Sequence, residues 1–182
     1  NNDEFREWFV IPFVRLSDGN ALGQLSRAAI TTAFDVSVAA RYYAVSGDQI
    51  GIGPLPPQVG QPTRYWVQLA IGPTSSDLAD VRVIARLGEN VRVTGRDALP
   101  DGGSFVQTEN SLAWVIPFLP TDVDGAVASF EVEFIPSETQ KGTVPLLISD
   151  VSATATDQRA RVIVQTSSKG VDANLPEDDK AK

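Results

Sequence analysis

The residues in this sequence that are best suited to chemistry are short groups of carboxylates. Asp122-Val123-Asp124-Gly125 places two acidic side chains before a glycine, as at the start of a calcium-binding loop. The distal Glu of the longer calcium loop is missing, and Asp-Gly also forms ordinary turns between strands. Asp122 and Asp124 are therefore the candidates for a metal site, although we favour the turn and expect no cofactor.

Two other carboxylate pairs have a spacing that would suit general acid–base chemistry. Glu131 and Glu133 lie two positions apart in an alternating segment and share one face, while Asp97 and Asp101 flank a short apolar stretch. Catalysis by two carboxylates requires a cleft and one raised pKa. The neighbouring residues indicate neither, so we predict a solvated strand face and a solvated loop at these positions.

Composition removes most other kinds of active site. The 182 residues include no Cys and no His, which excludes disulfides, thiolate nucleophiles, Cys-ligated zinc and the commonest acid–base side chain. A net charge of −8 argues against nucleic acid or an anionic membrane surface as a partner. No apolar run approaches the roughly 20 residues needed to span a bilayer. We predict that the chain is not an enzyme.

The elements that must position these residues are short strands. In residues 64–71 apolar side chains alternate with Arg64 and Gln68, and residues 130–134 alternate apolar and acidic side chains. Turn residues recur about every 8–12 residues, and no segment has a helical period, which indicates an all-β, antiparallel β-sandwich. The predicted core consists of Tyr65, Val67, Leu69, Val81, Val83, Trp114, Phe130, Phe134, Val162 and Val164.

A Pro-rich segment, Gly53-Pro54-Leu55-Pro56-Pro57-Gln58-Val59-Gly60, divides the chain. Consecutive prolines lack backbone N–H groups and cannot pair in a sheet, so we predict a stiff linker over residues 51–62. Residues 1–50 then form a β-strand segment at the end of a preceding β module, and residues 63–168 form the sandwich. Residues 169–182 read as a polar tail or linker, and we expect the chain to be a piece of a longer protein.

Residues 1–50 contain too few strands to close a core of their own. Their apolar side chains, which include Trp8, Phe9 and Phe13, must therefore be covered by the sandwich, by a missing part of the same protein or by another subunit. Trp66 is predicted to point outward, where it would either anchor an interaction or pack under the linker. These four aromatic residues are the candidate interaction site.

In their order along the chain, several of these segments resemble a known family. The Pro-rich segment is followed by Thr63-Arg64-Tyr65-Trp66-Val67, then by residues 76–83, residues 112–114 and residues 130–137. Residues 51–168 thereby resemble the repeated Ig-like modules, related to the DUF11 type, of large bacterial cell-surface proteins, as in candidate-phylum bacteria. One departure is Leu87-Gly88-Glu89, where such modules usually carry Leu-Pro.

The resemblance implies an Ig-like, extracellular module at the cell surface with no defined activity. We expect a non-enzymatic structural or adhesive role, in which β-strand contacts space or assemble modules and the partners are neighbouring modules or protein subunits. The alternative is a carbohydrate-binding accessory domain of a secreted hydrolase. In that case Trp66 with Tyr65, or the Tyr42-Tyr43 pair, would form a platform for stacking on a glycan.

Overall fold

The computed structural model describes residues 8–10, 13–16, 19–22, 26–28 and 30–181, with side chains from residue 30 onward. Before residue 30, four short strands form two antiparallel pairs, β1 with β4 and β2 with β3. Their bounds are Trp8–Val10 (β1), Phe13–Leu16 (β2), Gly19–Leu22 (β3) and Ser26–Ala28 (β4).

The rest of the described chain is a two-sheet sandwich, which confirms the all-β, antiparallel prediction. One sheet has the order β5-β6-β11-β8, and the other has the order β13-β12-β7-β10-β9. A single turn of 3-10 helix covers Glu138–Gln140. The strands are Val36–Arg41 (β5), Thr63–Ile71 (β6), Leu78–Leu87 (β7), Val91–Ala98 (β8), Ser104–Gln107 (β9), Ser111–Leu119 (β10), Ala126–Phe134 (β11), Leu146–Asp157 (β12) and Val162–Asp172 (β13).

Alternating apolar residues from both sheets meet in one core. Because side chains on a strand alternate between its faces, the inward set of β6 is fully or nearly fully buried while Arg64 and Gln68 face outward. Trp114 lies at the centre with no exposed surface. Eight of the ten predicted core residues are buried, but Val162 is 41% exposed and Val164 only partly buried, because β13 is the edge strand of its sheet.

The strand registers define two ends of the sandwich. The lower end carries the loops at residues 72–77, 120–125 and 158–161, and the upper end carries residues 42–62, 135–145 and 173–181. The chain reaches the sandwich at the lower end through residues 30–35, the incoming segment. It leaves the upper end through residues 173–181, the outgoing segment.

The structure differs from the predicted division of the chain at the Pro-rich segment. β5 pairs along its length with β6, from Val36 opposite Ile71 to Arg41 opposite Trp66, so both strands flanking the segment belong to one sheet. Residues 51–62 fold back over the upper end, where Ile52 forms a bridge with Arg64 and the Gly60 N–H donates to the Pro136 carbonyl (2.9 Å). Residues 51–62 are therefore a loop of the sandwich, and their backbone polar groups form hydrogen bonds with other residues at the upper end.

The outgoing segment is also part of the fold, contrary to the expected polar tail. β13 continues to Asp172, and beyond it Leu175 is fully buried and Asp178 is 2% exposed. At the lower end, Phe34 of the incoming segment joins the same core. The assignment of residues before 30 to a preceding module stays a prediction.

Two substitutions on β11 test this assignment of faces. Phe130 is fully buried and contacts the Phe105 ring of β9 edge to face at 5.6 Å, whereas Val127 is 47% exposed. Phe130→Ala should lower the free energy of unfolding by about 3–5 kcal/mol. Val127→Ala should change it by less than about 0.5 kcal/mol. Urea denaturation measures both, and equal effects would contradict the register.

Candidate functional site

The outer face of the β5-β6-β11-β8 sheet carries two buried carboxylates held by arginines. Glu133 is 4% exposed and accepts hydrogen bonds from Arg64 Nε (2.9 Å) and Arg92 Nε (2.9 Å), one on each neighbouring strand. Glu131 has no exposed surface and accepts from Arg96 Nη1 (2.9 Å) and Thr94 Oγ1 (2.7 Å) of β8. We call these side chains the Arg–Glu cluster.

The prediction that Glu131 and Glu133 are solvated is therefore wrong. Both do point away from the core, but long arginine side chains from β6 and β8 cover them. Hydrogen bonds from Arg92 and then Arg64 hold the pKa of Glu133 below its ordinary value, although burial acts in the opposite direction. A carboxylate kept ionised and fully paired is a structural group and is unsuited to act as a general acid.

The aromatic side chains do not form an open platform. Tyr65 has no exposed surface and Tyr42 is 3% exposed, and their rings meet edge to face at 6.1 Å. Burial, followed by the effect of its neighbour Tyr42, raises the pKa of Tyr65. Trp66 does lie on the outer face, where it is partly buried and the Arg96 guanidinium lies 5.6 Å from its ring centre. A flat row of exposed aromatic rings is thus missing from these positions.

At the lower end a third buried carboxylate accepts hydrogen bonds from three segments. Asp157, at the end of β12, accepts from the Thr32 N–H (2.8 Å), from Ser76 Oγ and from the N–H groups of Arg159 and Ala160 (both 2.9 Å). Burial alone would raise the pKa of Asp157, but these hydrogen bonds outweigh it and the pKa lies below its ordinary value. Asp157 thereby fixes the incoming segment to the β12–β13 turn.

At the upper end a fourth buried carboxylate fixes the outgoing segment in the same way. Asp178 of the outgoing segment accepts from the N–H groups of Tyr42 (2.7 Å) and Tyr43 (2.8 Å) through one oxygen, while its other oxygen accepts from the Lys180 N–H (3.3 Å). The outgoing segment is therefore attached directly to the residues that follow β5. Tyr42 and Tyr43 lie 136 and 135 residues from Asp178 in the sequence.

The predicted metal candidates lie in the loop between β10 and β11. Asp122 and Asp124 are exposed, and the described residues include no group of three or more acidic side chains that would hold a metal ion. Gly125 explains the motif without a metal, because its φ is +81° and a Cβ there would come within 2.2 Å of the Ile71 carbonyl oxygen. For Asp122 and Asp124, the expectation of a turn without a bound metal stays a prediction.

The remaining candidates are Trp8, Phe9 and Phe13. Their backbones belong to β1 and β2, but their side chains lie outside the described part of the structure. A groove of about 510 Å³ lies at the upper end, between residues 56–59 and residues 140–145. Prolines line much of it, and Lys141 is its one ionisable lining residue, so it brings together no catalytic pair.

Sequence reasoning missed the two aspartates that close the ends. The sequence does indicate Asp157 as a turn residue at the end of a strand. Asp and Asn side chains commonly accept hydrogen bonds from N–H groups two or three residues ahead, as Asp157 does from Arg159 and Ala160. Its bond to Thr32, 125 residues away, had no local signal. Asp178 had none either, because it lies in a polar segment without strand periodicity.

Solved structures resemble this chain only distantly. The major pilin BcpA of Bacillus cereus is 12% identical, with 90% of this chain and 47% of the pilin covered and a TM-score of 0.49. The major pilin SpaD of Corynebacterium diphtheriae is 11% identical, with coverage of 76% and 35% and a TM-score of 0.45. The collagen-binding domain of Erysipelothrix rhusiopathiae surface protein RspB is 11% identical, with coverage of 92% and 55% and a TM-score of 0.39.

The chain thus spans about half the length of the Bacillus pilin. No family model matches the sequence, and no curated protein matches it either. The resemblance to DUF11-type modules therefore stays a prediction. In the described part of the chain, no helix has the length and apolar character needed to cross a membrane.

The Arg–Glu cluster gives a test of buried charge. Glu133→Gln should lower the free energy of unfolding by about 1–3 kcal/mol, because the amide N–H group would face arginines that need an acceptor. Glu109→Gln, at an exposed position, should change it by less than about 0.5 kcal/mol. Urea denaturation at neutral pH compares the two variants, and a neutral Glu133→Gln would show that the arginines leave the carboxylate solvated.

Asp157 should make stability depend on pH. Because its pKa is lower in the folded chain, the unfolded chain takes up a proton first as pH falls below about 4, and the free energy of unfolding decreases until the folded carboxyl is protonated as well. Asp157→Asn should be less stable at neutral pH and should flatten this decrease. Asp150→Asn, at a more exposed ion pair with Arg86, serves as the control and should keep the slope. Identical slopes for wild type and Asp157→Asn would contradict the assignment.

Proposed function

We propose that this chain is a non-enzymatic structural module of a bacterial cell-surface protein, which holds neighbouring modules at a fixed separation. The observation that carries the proposal is the position of the incoming and outgoing segments at opposite ends of one sandwich. A module with this geometry adds its own length to an array. The twelve residues of β12 alone extend over about 40 Å.

The fixed ends support a spacing role. Asp157 ties the incoming segment to the β12–β13 turn, and Asp178 ties the outgoing segment to the end of β5. Each carboxylate is almost completely buried, so the segments leave the sandwich in defined directions. Because flexible linkers would let neighbouring modules rotate freely, such attachment favours a structural role.

The paired carboxylates also support a non-enzymatic role. Glu133 and Asp157 both have a pKa below the ordinary value of a carboxyl group, whereas a general acid near neutral pH needs a raised pKa. The carbohydrate-binding alternative requires exposed aromatic rings for stacking on a glycan. Tyr65 and Tyr42 are buried, however, and Arg96 lies over Trp66. Adhesion through other surfaces and the identity of the neighbouring modules belong to the proposal.

Surface labelling tests the location that this role requires. Antibodies raised against the 182-residue chain should label intact cells that produce the protein, and external protease should remove the signal. An antibody against a cytosolic protein, which should label only permeabilised cells, controls for cell integrity. Labelling that appears only after permeabilisation would overturn the surface assignment.

A further inference from the structure

The incoming and outgoing segments continue into strands that lie side by side. β5 is the edge strand of one sheet and β13 is the edge strand of the other, and the two strands contact each other along the side of the sandwich. Both run from the lower end to the upper end. A force that pulls residue 30 and residue 181 apart therefore acts along the axes of both strands.

We infer that the module carries tension between its two ends, with β5 and β13 loaded in shear and with Asp157 and Asp178 as the fasteners between them. The inference rests on the proposed structural role and adds a mechanical function to it. In shear, the hydrogen bonds between two strands bear the force together. In the opposite geometry, peeling, they break one pair at a time.

The strand registers give the size of the two ladders. β5 is paired with β6 through six residue pairs, and β13 is paired with β12 through ten. Pulling at the lower end slides β5 against β6, and pulling at the upper end slides β13 against β12. Neither strand can leave without breaking its ladder together with the core contacts of its inward residues, such as Val36 and Val171.

The aspartates accept backbone N–H groups just outside the ladder of the edge strand β5. The Gly72 N–H donates to the Asp35 carbonyl (3.1 Å), which places odd-numbered residues of this stretch in hydrogen-bonding register with β6. Thr32 and Tyr42 lie before and after β5, outside the ladder that β5 forms with β6. Asp157 and Asp178 accept the N–H groups of these two residues, one at each end of β5.

The two fasteners connect the strands crosswise. Asp157 lies at the turn that begins β13 and holds the segment that leads into β5, whereas Asp178 follows β13 and holds the residues that follow β5. Tension that enters at residue 30 thus reaches both strands at the lower end. A force applied at residue 181 likewise acts on both β5 and β13 at the upper end.

Single-molecule force spectroscopy with cysteine handles tests the geometry, because the chain has no cysteine of its own. Handles at Thr31→Cys and Lys180→Cys apply end-to-end shear, whereas handles at Thr31→Cys and Val123→Cys both lie at the lower end and pull across the strand axes, so they peel β5 from β6. The unfolding force at equal pulling speed should be about twofold higher, or more, in the end-to-end geometry. Equal forces, or a higher force on peeling, would overturn the inference.

A variant separates the fastener from general stability. With handles at residues 31 and 180, Asp178→Ala should lower the unfolding force. With handles at residues 31 and 174, the force leaves the chain before it reaches Asp178, and the same substitution should have a clearly smaller effect. Equal losses in both geometries would show that Asp178 acts only through global stability. The comparison of pulling directions uses the unaltered fold, so it decides the shear geometry even if Asp178→Ala fails to fold.

Discussion

At each end of the β-sandwich a buried carboxylate joins segments that are far apart in the sequence. Edge strands leave every second backbone N–H group without a ladder partner. Asp157 and Asp178 accept N–H groups of residues that flank β5, which satisfies these donors and fixes the segments that carry them. A buried carboxylate would be costly alone, but several N–H donors compensate its lost hydration. The position of the incoming and outgoing segments, and hence the proposed spacing role, depends on this arrangement.

The Arg–Glu cluster likewise surrounds buried carboxylates with hydrogen-bond donors, in this case in the middle of a sheet. Glu133 lies between Arg64 of β6 and Arg92 of β8, so one carboxylate joins three strands. Buried ion pairs contribute little net stability, yet removing one partner is costly because the other stays desolvated. We therefore regard the cluster as a device that fixes which strands are neighbours. It also occupies the face on which a glycan platform would have to form, since Arg96 lies over Trp66.

Period-2 patterning predicted the fold class and the face of nearly every core residue, because alternation along a strand is a local property. The pattern did not predict burial correctly where burial depends on side chains of neighbouring strands. Glu131 and Glu133 have the outward direction that the pattern predicts, but burial follows from arginines 35 to 69 residues away. Val162 has the inward pattern, but it belongs to an edge strand and remains exposed. Asp178 lies in a segment whose composition alone indicates a tail. Tyr42 and Tyr43, whose N–H groups it accepts, lie more than 130 residues before it in the sequence.

The Pro-rich segment shows why composition is a poor guide to the boundaries of this unit. Prolines cannot continue a ladder, so they do end β-pairing locally, as predicted. They interrupt the chain between β5 and β6, however, which are neighbours in one sheet, and the core draws on residues from Phe34 to Leu175. A division at the prolines would separate β5 from the strand that pairs with it and would remove the donors that Asp178 needs. The structural unit instead extends from the incoming segment, which Asp157 holds, to the outgoing segment, which contains Asp178.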